Sequence, residues 1–489
     1  MMLSVSFVRL IRSGSALWCD HPGREAPGAR RCGQAVDQTV SRELELVTWP
    51  PLRLARMRCE RGSVGVVLPV GSRRINRGGQ RVRIIGLDIH RVFAEAVALE
   101  AGRLIRLGRI EMRRDRLAEF ARSLTHDDHV VIEATGNATV VAEVLRPHAG
   151  RVVIANPQQV RLIAYAKIKT DRIDASVLAR LYASGFLPEV WVPDERTQAL
   201  RRQVTRRNQL VRQRTRLKNM VQSVLHAQLI PPCPTADLFG PKGRAWLVEQ
   251  ILPADERSAV ERHMREYDRL GEDLDAVERD LARGALADEQ TKRLMTIPGI
   301  HMVVAVGIMA AIGHIERFAN PQQLVSYFGL NPSVHQSGNG PVHRGRITKR
   351  GRGHARGMLV EAAWVAARVP GPLRAFFLRI RARRGQHVAA VATARKLAVL
   401  IWHMLRRNED YAWLRSALHA RKIRDIELAA GHPARRGQRG AVYAYNLSTV
   451  RQRERRRVEQ AEKAYERLVK GWTQHGPKVR TGAATEARQ

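Results

Sequence analysis

Two apolar segments of this 489-residue chain carry a carboxylate where a β-strand would bury it. Val82-Arg-Ile-Ile-Gly-Leu-Asp-Ile89 reads as a strand with Asp88 near its end, and His129-Val-Val-Ile-Glu133 ends on Glu133. A carboxylate that ends an apolar strand is costly to desolvate unless a cation neutralises it. A third segment, Lys169-Thr-Asp-Arg-Ile-Asp-Ala175, sets Asp171 and Asp174 three residues apart at a helix start, so both project from one face. Two acids from strands and two from a helix can converge on a pair of Mg²⁺ ions, roughly 3.5–4 Å apart, that activate an attacking oxygen and stabilise a leaving one. Each acid also has an ordinary reading. Asp171 suits a helix start behind Thr170, Asp174 an exposed helix face, and Glu133 an ion pair with an arginine.

The surrounding pattern predicts a mixed sheet flanked by helices. Strands Val92–Leu99 and Arg103–Ile110 follow the first, joined by short turns of which one contains Gly102. A helix over Arg113–Leu124, the Glu133 strand, a helix over Ala138–Leu145 and a strand over Arg151–Ala155 come next. Helices over Pro157–Tyr165 and Asp171–Ala183 complete a domain spanning 82–190. From 195 to 289 the chain is helical and basic, with Leu210, Leu217 and Val224 at heptad spacing and a stop at Pro231, Pro232 and Pro234. A second charged helix, Ala254–Leu286, predicts a coiled-coil arm or dimerisation element, or else a solvated hairpin that spaces two domains. A mainly α-helical domain over 290–410 opens on Thr296-Ile-Pro-Gly-Ile300 and the apolar run Met302–Gly313, which is reminiscent of a helix-hairpin-helix. Residues 1–81 read as a basic, disordered extension or as sequence upstream of the true start, and 411–489 as a basic helical or disordered tail.

Charge narrows the partner. Lys and Arg number 84 against 46 Asp and Glu, a formal +38, and nucleic acid is the commonest partner for such an excess. The four cysteines lie far apart, which argues against a zinc site or disulfide framework and fits a reducing cytoplasm. The run Met302–Gly313 is too short to cross a bilayer, so no membrane is expected.

The set GLDIH, VVIEATG and KTDRIDA resembles the DEDD signature of transposases of the insertion-sequence 110 family. The resemblance covers roughly 82–410 and implies a ribonuclease-H-like, RuvC-like catalytic domain in which Asp88, Glu133, Asp171 and Asp174 hold the divalent metal. Thr296-Ile-Pro-Gly-Ile300 and Phe328-Gly-Leu-Asn-Pro332 are similar to the family's C-terminal domain, where a serine just before a glycine is the nucleophile. That match falls on Ser337 in Val334-His-Gln-Ser-Gly-Asn-Gly340; Ser333 is the rival. Gly338 and Gly340 let backbone approach a phosphate, while Arg344, Arg346, Lys349, Arg350 and Arg352 supply compensating charge for nucleic acid. Read without the resemblance, Ser337 is a turn residue bonding its own backbone. A hydroxyl nucleophile needs a base or metal, and His335 or a metal held by the acids would serve.

The resemblance implies double-stranded donor and target DNA, a structured non-coding bridge RNA, and a homo-oligomer, dimer or tetramer, with composite active sites. It places the protein in the cytoplasm of a bacterial-type cell, on the nucleoid when bound to DNA. A metal-dependent nuclease or junction resolvase explains the acids but leaves Ser337 idle. A non-catalytic nucleic-acid binder explains only the charge.

Overall fold

The computed structural model describes residues 82–164, 170–338, 340–434 and 441–474. The extension 1–81, the end of the helix expected to reach Tyr165, and the tail beyond 474 lie outside the described residues. Two compact units meet in sequence at Val192 and Pro193.

The first unit is a five-stranded sheet of order β3-β2-β1-β4-β5, built from β1 (Arg83–Ile89), β2 (Phe93–Glu100), β3 (Arg103–Glu111), β4 (Asp128–Glu133) and β5 (Arg151–Ala155). β1, β2 and β3 form an antiparallel meander, and β4 and β5 run parallel to β1, so the sheet is mixed. Ala101 and Gly102 both have positive φ, the backbone that a two-residue hairpin turn needs to follow the strand twist.

Period-two alternation sorts β1 onto two faces. Ile85, Leu87 and Ile89 join Val130, Ile132 and Ile154 against helices α1 (Arg114–Arg122) and α2 (Ala138–Leu145). Gly86 and Asp88 therefore face the other way, towards α3 (Pro157–Ile163) and α4 (Asp171–Ala183), where Val131, Val153, Val160, Leu178 and Tyr182 form a second core. With helices on both faces, the parallel strands read as near-continuous apolar runs. Gly86 sets the closeness of α4: a methyl group there would lie 2.0 Å from the Ala175 carbonyl oxygen.

The second unit begins with α5 (Glu195–Ala227), capped by Asp194, which accepts the Thr197 amide at 2.9 Å. After the proline break and α6 (Pro241–Glu249), α7 (Ala254–Ala287) returns along α5. Leu225 and Val221 meet Val260 and Tyr267, Leu210 meets Leu270 and Leu274, and Val204 meets Leu281, so the pair is antiparallel. α8 (Glu289–Leu294), α9 (Met302–Ile312), α10 (Pro321–Tyr327), α11 (Gly353–Ala366), α12 (Pro372–Arg384) and α13 (Gln386–Arg407) follow, with β6 (Pro332–His335) and β7 (His343–Ile347) as a hairpin between α10 and α11. α13 is long and apolar enough to span a membrane by length and composition, yet Leu397, Ala398 and Ile401 are fully buried in this unit's core.

α14 (Ser416–Ala429) and α16 (Ser448–Gln474), separated by the short α15 (Ala441–Ala444), pack back on this core. Glu454 accepts the Ala417 amide at the start of α14, and Glu462 accepts the Gly371 amide at the start of α12. Lys422 of α14 is buried, and its ammonium donates to the Met295, Ile297 and Ile300 carbonyls at 2.7, 3.1 and 2.8 Å. It closes the Pro298-Gly299 turn from below, while burial pushes its pKa down to about 7.

Two stability outcomes follow from these contacts. Gly86→Ala forces α4 off the sheet and is expected to destabilise the first unit by about 1–3 kcal/mol, read as an earlier chemical-denaturation midpoint. Lys422→Met leaves three buried carbonyls without their donor and is expected to cost on the order of 3 kcal/mol, read as a lower melting temperature of the second unit.

Candidate metal centre and serine loop

Asp88 is 7 % exposed and lies on the α4 face of the sheet. β1 and β4 pair in parallel with Leu87 opposite Ile132, so the next step along both strands sets Asp88 beside Glu133. The close seat of α4 on Gly86 brings the first turn of that helix to the same place. The other three acids act on Asp88: burial raises its pKa to about 6 against the opposing pull of His90, and the charges of Asp174, Glu133 and Asp171 push upward too.

The ordinary readings of these acids meet the structure one by one. Thr170, not Asp171, supplies the side-chain cap of α4, its hydroxyl accepting the Ile173 amide at 3.3 Å. Asp171 is turned instead towards His90, whose Nε2 stands 3.2 Å from Asp171 Oδ1 and 3.3 Å from Asp88 Oδ2. Asp174 is half-buried. Glu133 makes no ion pair with an arginine among the described residues.

Asp88, His90 and Asp171 offer donor atoms that all lie within 4.8 Å of one another, and the acids are held in a partly desolvated place. Hard oxygen donors of like charge in such a place fit a divalent cation, which would offset both the burial and the repulsion that raise Asp88. A fifth acid shows the contrast. Glu95 stands opposite Asp88 in the β1–β2 register and is 1 % exposed. Arg106 Nε donates to it at 2.6 Å and Arg109 Nε at 3.2 Å, and these bonds, Arg106 foremost, hold its pKa below the usual carboxylate range. Glu95 already has its cations; Asp88 is left with the imidazole of His90.

Sequence reasoning passed over His90, Glu95 and Arg109. Their signal was available in part, since His90 follows Asp88 by two residues and so shares its face. Arg109 stacks over Phe93 with its carbon 4.4 Å from the ring centre, and its Nη2 reaches to 3.9 Å from Asp171 Oδ2. That position depends on the β2–β3 register, which pairs Arg109 with Glu95.

In the second unit Ser337 lies on the exposed loop between β6 and β7. The loop is closed by the Gly340 amide donating to the Ser337 carbonyl at 3.1 Å, and Gly338 takes the left-handed φ of 53°. The turn thus uses the serine's backbone, and the Ser337 hydroxyl has no hydrogen-bond partner among the described residues. Ser333 differs: a methyl group at Gly345 would lie 2.4 Å from its hydroxyl oxygen, which is packed against the opposite strand. Arg344, Arg346, Lys349, Arg350 and Arg352 are all exposed on or just after β7.

Comparison with known proteins agrees across both units. A family model described as a transposase, for DEDD enzymes of the IS110 type, matches residues 85–229. A second, described as Transposase IS116/IS110/IS902 family, matches residues 291–378. The chain is 29 % identical over 346 residues to the transposase for insertion sequence element IS1111A of Coxiella burnetii, covering 68 % of this chain and 93 % of that one. It is 28 % identical to a probable family 20 transposase of Pseudomonas aeruginosa over 67 % of this chain and 98 % of that one. It is 25 % identical to the pilin gene-inverting protein of Moraxella bovis over 58 % of this chain and 81 % of that one. With both units matched in order, the chain belongs to the IS116/IS110/IS902 family of transposases.

Proposed function

We propose that this chain cuts and rejoins DNA strands for insertion-sequence mobility, with Asp88, Glu133, Asp171 and Asp174 as its metal ligands and Ser337 as its nucleophile. The observation that carries the reading is a buried Asp88 whose donor atom lies within 4.8 Å of those of His90 and Asp171 and which feels the charges of Glu133 and Asp174. The order of three meandering strands followed by alternating helix and strand supports a ribonuclease-H-like, RuvC-like identity for the first unit. Mg²⁺, as two ions, would suit the four carboxylates, and when bound it would polarise a phosphoryl oxygen and stabilise the leaving oxygen.

The chain's own groups divide the work. The acids hold their charge in a fixed, partly dry place, which makes them ready for a cation without reorganisation. Ser337 Oγ attacks the phosphorus of one DNA phosphodiester, a P–Oγ bond forms as the bond to one deoxyribose oxygen breaks, and that oxygen leaves with a proton. The serine proton passes to a base, for which His335 is the nearest imidazole upstream in sequence. The phosphoserine link keeps the ester energy until a deoxyribose hydroxyl displaces the serine and reseals the strand. Arg344, Arg346, Lys349, Arg350 and Arg352 neutralise the phosphates on either side.

Family membership and the +38 charge support a wider assembly. Donor and target duplexes, a structured non-coding RNA bridging them, and a dimer or tetramer of this chain with composite active sites would make up the complex. It would work in the cytoplasm, on the nucleoid.

The serine separates this reading from that of a resolvase using water. Ser337→Ala is expected to keep duplex binding but to lose the covalent protein–DNA adduct and to reduce strand transfer by roughly 10³-fold or more. Mg²⁺-dependent cutting that survives in Ser337→Ala would hand the assignment to the resolvase.

The acids carry a pH signature. The folded pKa of Asp88 is raised to about 6 from 3.8, so the metal-free fold binds the extra proton between those values and loses stability as pH rises through 6. Cation binding competes with that proton. Divalent-ion affinity, measured calorimetrically on the whole chain, is expected to rise from pH 5 to pH 7.5. Asp88→Asn is expected to weaken it at every pH and to flatten the rise. An affinity indifferent to pH in the unaltered protein would contradict the site.

A further inference from the structure

One face of α16 carries positive charge and no acid. With about 3.6 residues per turn, Thr449, Arg453, Arg456, Gln460 and Arg467 fall in one row along it, with Gln452 and Arg457 at its margins. All of them are exposed. Thr449, Gln452 and Gln460 line one shallow recess with Arg453, Arg456 and Arg457.

The other side of the helix is occupied by the fold. Val458, Ala461 and Glu462 are buried in the second unit. Glu462 takes the Arg374 guanidinium at 2.8 and 2.6 Å, and Glu454 accepts the Ala417 amide at 2.7 Å. Glu459 pairs with Arg455, four residues before it, at 2.8 Å. These acids hold α16 in place and leave the outer row without a counter-charge. Arg453, Arg456 and Arg457 make no ion pair or hydrogen bond to a side chain among the described residues. A solvated helix face ordinarily interleaves acids with bases, and this one does not.

The composition of the row narrows the partner further. Arginine pairs bidentately with the guanine edge in the major groove, glutamine with the adenine edge, and threonine touches the thymine methyl. A helix about 10–12 Å thick enters the B-DNA major groove, about 12 Å wide, whereas the corresponding groove of an RNA duplex is too narrow. From Arg453 to Arg467 the row runs about 21 Å along the helix axis, enough to follow such a groove.

We propose that α16 lies in the major groove of duplex DNA, with Arg453, Arg456 and Gln460 towards the base edges and Arg457 towards a flanking phosphate. The proposal rests on the reading of the chain as a DNA recombinase and gives it a direct contact with duplex, apart from the strand-cutting groups. α16 takes no part in bond breaking.

The test reads binding alone, without divalent metal. The full chain is titrated by fluorescence anisotropy with a labelled duplex and with the same duplex carrying a glucosyl-hydroxymethyl group on C5 of every cytosine, which fills the major groove. The unaltered chain is expected to bind the filled duplex roughly tenfold more weakly. A double variant, Arg453→Ala with Arg456→Ala, is expected to bind both duplexes equally. Arg451→Ala, an exposed position on the opposite side of α16, is expected to keep the tenfold difference. Arg457→Ala is expected to lower the slope of log affinity against log salt by about 0.9, as loss of one phosphate contact does. Equal binding of the two duplexes by the unaltered chain overturns the proposal, and that arm needs no variant. Full discrimination retained in the double variant, or the same loss in Arg451→Ala, also overturns it. So does an RNA duplex of the same sequence that binds as tightly as DNA through the same arginines. No strand is cut in these titrations, so their failure leaves the Ser337 adduct to stand or fall separately.

Discussion

The seat of α4 on β1 is the contact from which the candidate metal centre follows. At Gly86 the helix backbone comes so near the strand that any side chain would collide with the Ala175 carbonyl. That approach carries Asp171 and Asp174 to the strand end where Asp88 and Glu133 already stand side by side. The arrangement is unfavourable on electrostatic grounds, since four like charges meet where water is partly excluded. Core packing on both faces of the sheet maintains it, through Ile85, Leu87 and Ile132 on one side and Val131, Leu178 and Tyr182 on the other. A site of this kind is ready for a cation because the fold, not the ligand, bears the cost of assembling it.

Buried charge is handled in three ways across the molecule, and the differences are informative. Glu95 is satisfied by two arginines across the meander, so its position is structural. Lys422 is satisfied by three carbonyls of one turn, so it holds the start of the second unit's core. Asp88 has no such cation beside it: it faces the imidazole of His90, and the charges of three further acids act against its own. The first two uses close the fold on itself. The third leaves a buried carboxylate that a cation would suit.

Much of the first unit was legible along the chain. The expected strand Arg151–Ala155 is the observed β5, and the helix expected from Asp171 to Ala183 is the observed α4, because apolar periodicity and a Thr cap are local signals. The four acids could be singled out for similar reasons, Asp88 and Glu133 near the ends of apolar strands and Asp171 and Asp174 three residues apart in the first turn of a helix. The long helices of the second unit were also plain, with α7 ending one residue beyond its expected limit at Leu286. The β6–β7 hairpin around Ser337 was not foreseen as strands, since His343-Arg-Gly-Arg-Ile347 is exposed and shows no apolar alternation. The helix Pro241–Glu249 was missed because it is short and follows a proline cluster.

By itself the sequence determined which side chains share a face, because strand and helix periods are fixed by backbone geometry. It also pointed to the sign of the partner, through an excess of arginine for which nucleic acid is the commonest counterpart. It did not determine which faces meet. His90 turning to Asp171, Arg201 reaching Tyr327 across 126 positions and Lys422 reaching Met295 across 127 are contacts between residues with no local tie. Such pairs are chosen when packed cores lock helices at one distance and register, so tertiary structure alone decided them.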